Sequence, residues 1–207
     1  MVAKARGASE ARRAGAELPR VEVESRAAWR RWLSANHARA QGIWLVTYKK
    51  TADPRRYLSY DDIVDEALCF GWVDSLPRSL DAERSMRLVA PRKPKSGWSR
   101  VNKARVERLM ADGKMTPAGL RAIERAKADG SWAKLDAVEA LVVPRDLAAA
   151  LGQNAKARAF FDEFPRSSKR IILEWIAGAR TPETRAKRVE ETARLAAKNQ
   201  RANHWRG

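Results

Sequence analysis

The sequence is poor in the residues from which reactive and metal-binding centres are made. Its 207 residues hold one cysteine, Cys69, and two histidines, His37 and His204. A single cysteine excludes an internal disulfide. So small a Cys/His set is also too sparse for an ordinary four-ligand zinc site. Neither a metal nor a cofactor is expected. No apolar run approaches the roughly 18 residues that a membrane-spanning helix needs. The first twenty residues carry five bases and no apolar stretch, so no export signal is expected there and a reducing cytoplasm is the expected compartment. The glycine-rich, GxSxG and HExxH signatures of nucleotide, serine-hydrolase and zinc-protease sites are missing. Gly113-Lys114 looks like the end of a phosphate-binding Walker loop, but Arg108 stands where that loop needs its first glycine. No histidine is placed for a Ser/His/Asp or Cys/His set. An enzyme therefore ranks behind a binding protein.

What the chain does have is positive charge. Lys and Arg number 42 against 25 Asp and Glu, a formal charge of +17. That balance suits anionic partners, whether nucleic acid, phosphorylated ligands or an acidic surface. An Ala- and Arg-rich composition produces the same balance without any functional cause, and 37 alanines are present. Placement says more than the total. Residues 51–83 carry eight acids and three bases, whereas 84–108 carry nine bases and one acid. The sign switch forms either a polar binding face or an internally paired surface.

The apolar pattern changes once along the chain. Residues 1–20 read as a disordered basic tail. Trp29, Trp32 and Leu33 share a helical face behind Ser25, a helix cap. The run Ile43-Trp44-Leu45-Val46-Thr47-Tyr48 reads as a buried strand. Ser59 caps a helix that carries Ile63, Val64, Ala67 and Leu68, with Asp61 and Asp62 at its positive end. Strands are expected at 72–76 and 84–89, then a stiff loop between Pro91 and Pro94. From Ser99 onward all segments read as helices, opened by Ser99, Thr116-Pro117, Pro144, Asn154, Ser167 and Thr181-Pro182. The fold class is thus α+β: a small N-terminal unit with a few strands at 21–140, then an all-helical domain at 141–200 and a short tail at 201–207. The linker is read at 134–144. Trp175 is expected to anchor the helical core, sharing a face with Ile171, Ile172 and Phe160.

Chemistry concentrates on the basic loop. Asp74, in an apolar strand, needs a partner, and Arg92 or Lys93 could supply it. Ser99 at a helix start exposes free N–H groups at a positive dipole end. Arg92, Lys93, Lys95 and Ser96 precede it, and Asn102 lies in the first turn. With Trp98 as lining, these residues make a candidate anion site, and a solvated basic loop with an Asp74 ion pair is the alternative. Cys69 reads as a buried thiol. Two function classes stay open: a noncatalytic binder of an anionic small molecule or protein partner, and a nucleic-acid-binding protein using loop 91–103 and the basic helices.

Several motifs carry a resemblance. Glu66-Ala67-Leu68-Cys69-Phe70-Gly71-Trp72-Val73-Asp74-Ser75 is followed by Pro91-Arg92-Lys93-Pro94-Lys95-Ser96-Gly97-Trp98-Ser99 and by Gly113-Lys114-Met115-Thr116-Pro117-Ala118-Gly119. Further on come Pro144-Arg145-Asp146-Leu147, Phe160-Phe161, Ser168-Lys169-Arg170, Glu174-Trp175-Ile176 and Glu183-Thr184-Arg185-Ala186-Lys187-Arg188-Val189. From about Ser25 to Ala197 the chain resembles the YdeI/OmpD-associated, or bacteriocin-protection, family of bacteria. Gly178-Ala179-Arg180 and Val189 depart slightly from the family pattern. The resemblance implies a C-terminal helical family domain and a role in tolerance to bacteriocins or cationic antimicrobial peptides. It supplies no catalytic residues.

Overall fold

A computed structural model describes residues 18–39 and 41–203. Of the tails expected at 1–20 and 201–207, residues 1–17 and 204–207, with His204, lie outside the described residues, while Arg20 belongs to a strand and Ala202 is buried. The chain divides into two compact units between Trp132 and Ala133. Among the described residues, no helix is long and apolar enough to cross a membrane, and no group of three His, Cys, Asp or Glu is gathered to hold a metal ion.

The first unit holds β1 (Arg20–Glu22), α1 (Arg26–Asn36), β2 (Ile43–Tyr48), α2 (Tyr60–Cys69), β3 (Trp72–Ser79), β4 (Arg84–Pro91), α3 (Arg100–Ala111) and α4 (Pro117–Ala128). Its four strands form one sheet in the order β1-β2-β4-β3. β1 runs parallel to β2, and the other two pairings are antiparallel. β2 is apolar without alternation because it is central and buried along nearly its whole length. β1 was not visible in the sequence: three residues make a strand only because β2 offers an edge.

The caps read from the sequence hold the helices. The side chains of Ser25, Ser59, Ser99 and Thr116 accept from the backbone N–H groups of Ala28, Asp62, Asn102 and Gly119. The core gathers Trp29, Leu33, Ile43, Leu45, Leu68, Trp72, Val89, Trp98 and Leu109. One close approach fixes α4 against the end of α2. Thr116 donates its hydroxyl to the Cys69 carbonyl at 2.6 Å, and a Cβ at Gly119 would run into that same carbonyl. Cys69 is buried there, and burial pushes its thiol pKa up.

The second unit is all-helical: α5 (Asp136–Glu139), α6 (Arg145–Gly152), α7 (Ala155–Glu163), α8 (Arg166–Ala177) and α9 (Pro182–Ala196). Asn154 and Thr181 cap α7 and α9. Ser167 does not open α8; that helix starts one residue earlier behind Pro165, which fixes the backbone without a side-chain cap. Ala202 is buried with this core. Trp175 is not its anchor. Leu147, Leu151, Phe161, Ile172, Leu173 and Ile176 form the centre, Trp175 and Phe160 pack at its side, and Ile171 is exposed. The reason is helical pitch: Ile172, Leu173 and Ile176 face inward, and residues 171 and 175 sit about 100° or more around the helix from the centre of that face. Arg188 covers Trp175, its guanidinium 5.1 Å from the ring and bonded to the Trp175 carbonyl.

Candidate functional site

The sign switch at residue 84 is resolved mostly as internal pairing. Arg84 binds Asp81 and Glu22. Arg105 reaches Asp61 and Asp65, and Arg108 reaches the second oxygen of Asp65 at 2.7 Å. The other buried carboxylate of α2, Glu66, accepts from Arg26 and Arg30 at 2.6 and 2.7 Å. Asp74 pairs with Arg87 at 3.0 Å across the β3/β4 ladder. The expected partner of Asp74, the loop base Arg92 or Lys93, is therefore not used. Arg87 lies on the neighbouring strand, and a bulge between Asp74 and Pro77 shifts the register beside it. Asp74 does not join the basic loop.

That accounting singles out Arg92. The backbone N–H of Arg92 donates to the Gly71 carbonyl at 3.0 Å, which holds the loop on the end of α2. The residue is only 7% exposed, yet its guanidinium meets no carboxylate among the described residues. It lies 3.8 Å over the ring of Trp98, itself 2% exposed, and one N–H group donates to the Gly97 carbonyl at 2.8 Å. A guanidinium carries five N–H donors, so most of them have no acceptor among the described residues, and no nitrogen left without one is sealed from solvent. Burial alone pushes its pKa down to about 10, which leaves it charged at neutral pH. A buried cation without a counter-charge is costly and is relieved by an anion.

The loop around it is built, not loose. Ser96 bonds the Lys93 carbonyl through its hydroxyl at 2.7 Å and its N–H at 3.3 Å, closing a turn. Lys95 occupies the left-handed region in that turn (φ 61°), and its N–H donates to Asp129 at 3.1 Å. Asp129 also accepts from the Ser131 N–H at 2.9 Å, and the Ser131 side chain and N–H, followed by the Lys95 N–H, hold its carboxyl below the usual range. A cavity of about 10 Å³ opens here, lined by Arg92, Lys93, Lys95, Ser96 and Trp98 together with Arg125, Asp129 and Ser131. That volume admits one water-sized group, such as a single oxygen of a larger anion.

Five of the residues singled out in the sequence thus meet at one cavity. Ser99 and Asn102 do not line it: Ser99 accepts from the Asn102 N–H at 3.3 Å and so spends its hydroxyl on capping α3. Arg125, Asp129 and Ser131 were missed. They lie about thirty residues downstream, and only the Lys95–Asp129 bond reveals their place. Trp98 packs 5.0 Å from Trp132, whose ring also meets the ammonium groups of Lys103 and Lys127. Trp98 is therefore a wall beneath Arg92, with its ring face closed to a stacking base.

Residues 140–199 match the family described as bacteriocin-protection, YdeI or OmpD-associated. The second unit belongs to the bacteriocin-protection family. Residues 21–122 match a domain of unknown function, DUF8412. The resemblance read over the whole chain thus resolves into two parts, and the bacteriocin-protection match covers the helical one. The Arg92 loop lies in the other. No curated protein and no solved structure matches the chain. Within the bacteriocin-protection domain Arg185 of the last motif is structural: it holds Asp146 through two bonds of 2.6 and 3.0 Å, tying α9 to α6.

Proposed function

We propose that the protein is a noncatalytic binder of a small phosphate- or carboxylate-bearing ligand, held at the Arg92 loop, and that this binding serves the bacteriocin tolerance named in its family's description. The observation that carries the reading is the charged guanidinium of Arg92, a residue only 7% exposed, with no carboxylate partner among the described residues. One ligand oxygen enters the cavity against Arg92. The rest of the group stays outside the cavity, whose lining includes Lys93 and Ser96. Direct capture of a cationic peptide is disfavoured, because a protein of charge +17 repels it. An anionic ligand makes the role indirect and compatible with a reducing cytoplasm.

Nucleic acid is the competing partner, favoured by net charge but offered no open aromatic face at this loop. The test titrates wild type, Arg92→Met and Lys93→Ala with inorganic phosphate, acetate and a short duplex at two salt concentrations. Small-anion binding is expected to saturate and to fall far more in Arg92→Met than in Lys93→Ala, since a forked guanidinium and an exposed point charge bind differently. Equal losses in both variants on the duplex, with the salt slope dropping by about one each, would assign nucleic acid instead. No small-anion binding in the wild type would overturn the proposal.

A further inference from the structure

A second cavity, about 350 Å³, lies at the far end of the sheet of the first unit. Its walls come from the end of β2, the start of β4, the 49–59 loop and the start of α2. The volume is that of a small-molecule site. All three tyrosines of the chain, Tyr48, Tyr57 and Tyr60, line it, with Leu58, Ile63 and Met86 among the apolar lining. Four basic residues line it and no acidic one does.

The loop wall is fixed. Asp53 accepts the N–H groups of Arg55 and Arg56, and a bridge joins Tyr57 to Tyr48. Arg56 covers Tyr48 at 3.9 Å and bonds its hydroxyl. Tyr57 and Tyr60 keep exposed surface. The floor is polar where an apolar hollow would not be. Thr47 and Ser85 are paired across β2 and β4, and Arg87 follows two residues on, on the same face. Thr47 is 5% exposed, lines the cavity, and its hydroxyl has no hydrogen-bond partner among the described residues. Arg87 gives one N–H to Asp74 and lies 4.6 Å over Tyr60, leaving donors of its fork unused.

We infer that this cavity is a second binding site, for a small aromatic anion: a ring between the tyrosines and its acidic group on Thr47, Ser85 and Arg87. Apolar and aromatic walls favour the ring. A hydroxyl that lines the cavity without a protein partner, and is not sealed from solvent, and a fork with spare donors favour the anion.

The test uses phenyl phosphate as ligand, with phenol and inorganic phosphate as its two halves, on the full chain. The readout is the ring resonances of labelled tyrosine, which report on this cavity alone because every tyrosine lines it. Phenyl phosphate is expected to shift them saturably and to bind about tenfold tighter than either half. Thr47→Val, nearly isosteric, and Arg87→Lys, which keeps the charge, are each expected to weaken it about tenfold with the fold intact by circular dichroism. Arg92→Met leaves these shifts unchanged, which separates this site from the loop. Absence of saturable tyrosine shifts would overturn the inference. So would phenol binding as tightly as phenyl phosphate, or unaltered affinity in both variants.

Discussion

Replacing Arg92 by Met should be nearly neutral for stability while abolishing anion binding. Holding the guanidinium in its buried place costs roughly 3 kcal/mol, the equivalent of the fall in its pKa to about 10. Against that stand the charged bond to the Gly97 carbonyl, about 1.5–3 kcal/mol, and the contact with Trp98, about 0.5–2 kcal/mol. The terms nearly cancel, and the flexible methionine stem still covers Trp98. Urea unfolding of both proteins at neutral pH should therefore agree within about 1 kcal/mol. The pH dependence gives a second handle. The folded-state pKa of Arg92 is depressed, so above about pH 10 the unfolded chain binds more protons at this residue than the folded one. Stability of the wild type relative to Arg92→Met should thus rise with pH above that point. A loss above about 3 kcal/mol at neutral pH would refute the reasoning, because it would make Arg92 a structural strut and not a cation awaiting a counter-charge.

Gly119→Ala should cost about 3 kcal/mol or prevent folding, since its Cβ meets the Cys69 carbonyl; the unfolding midpoint checks it. Glu66→Gln should cost about 2 kcal/mol, less than a fully buried pair, because Arg26 and Arg30 reach solvent; chemical denaturation measures it. Phe161→Ala should cost roughly 3–5 kcal/mol and Trp175→Ala about 1–2 kcal/mol, the order set by their burial. The reverse order in calorimetry would place Trp175 at the centre of the helical core after all.

Local signals were legible in the sequence because they are local in physics. Ser25, Ser59, Ser99, Thr116, Asn154 and Thr181 each bond an N–H two or three residues away, so each cap could be read without knowing the fold. β1 was invisible because Arg20–Glu22 becomes a strand only through β2. Trp175 misled because spacing allows it a common face with Ile171 and Ile172, whereas the core takes Ile172, Leu173 and Ile176 and leaves Ile171 exposed and Trp175 at its side. The partner of Asp74 was missed for a related reason: the need for a base was readable, but which strand supplies it depends on register. At the loop, Arg92, Lys93, Lys95, Ser96 and Trp98 are contiguous and could be grouped by sequence alone. Arg125, Asp129 and Ser131 reach the same cavity through tertiary structure, with no sequence signal joining them to the loop. Nor did charge counts reveal that Arg84, Arg87, Arg105 and Arg108 are spent on carboxylates while Arg92 meets none among the described residues.

The central claim rests on the state of one guanidinium, and heteronuclear NMR of the arginine side-chain N–H signals tests it most directly. The Arg92 signal is identified by its loss in Arg92→Met. On titration with inorganic phosphate it should shift along a saturating curve, ahead of the paired Arg105 and Arg185 signals. A signal that stays fixed, or that drifts linearly with the exposed arginines, would contradict an anion site at this loop.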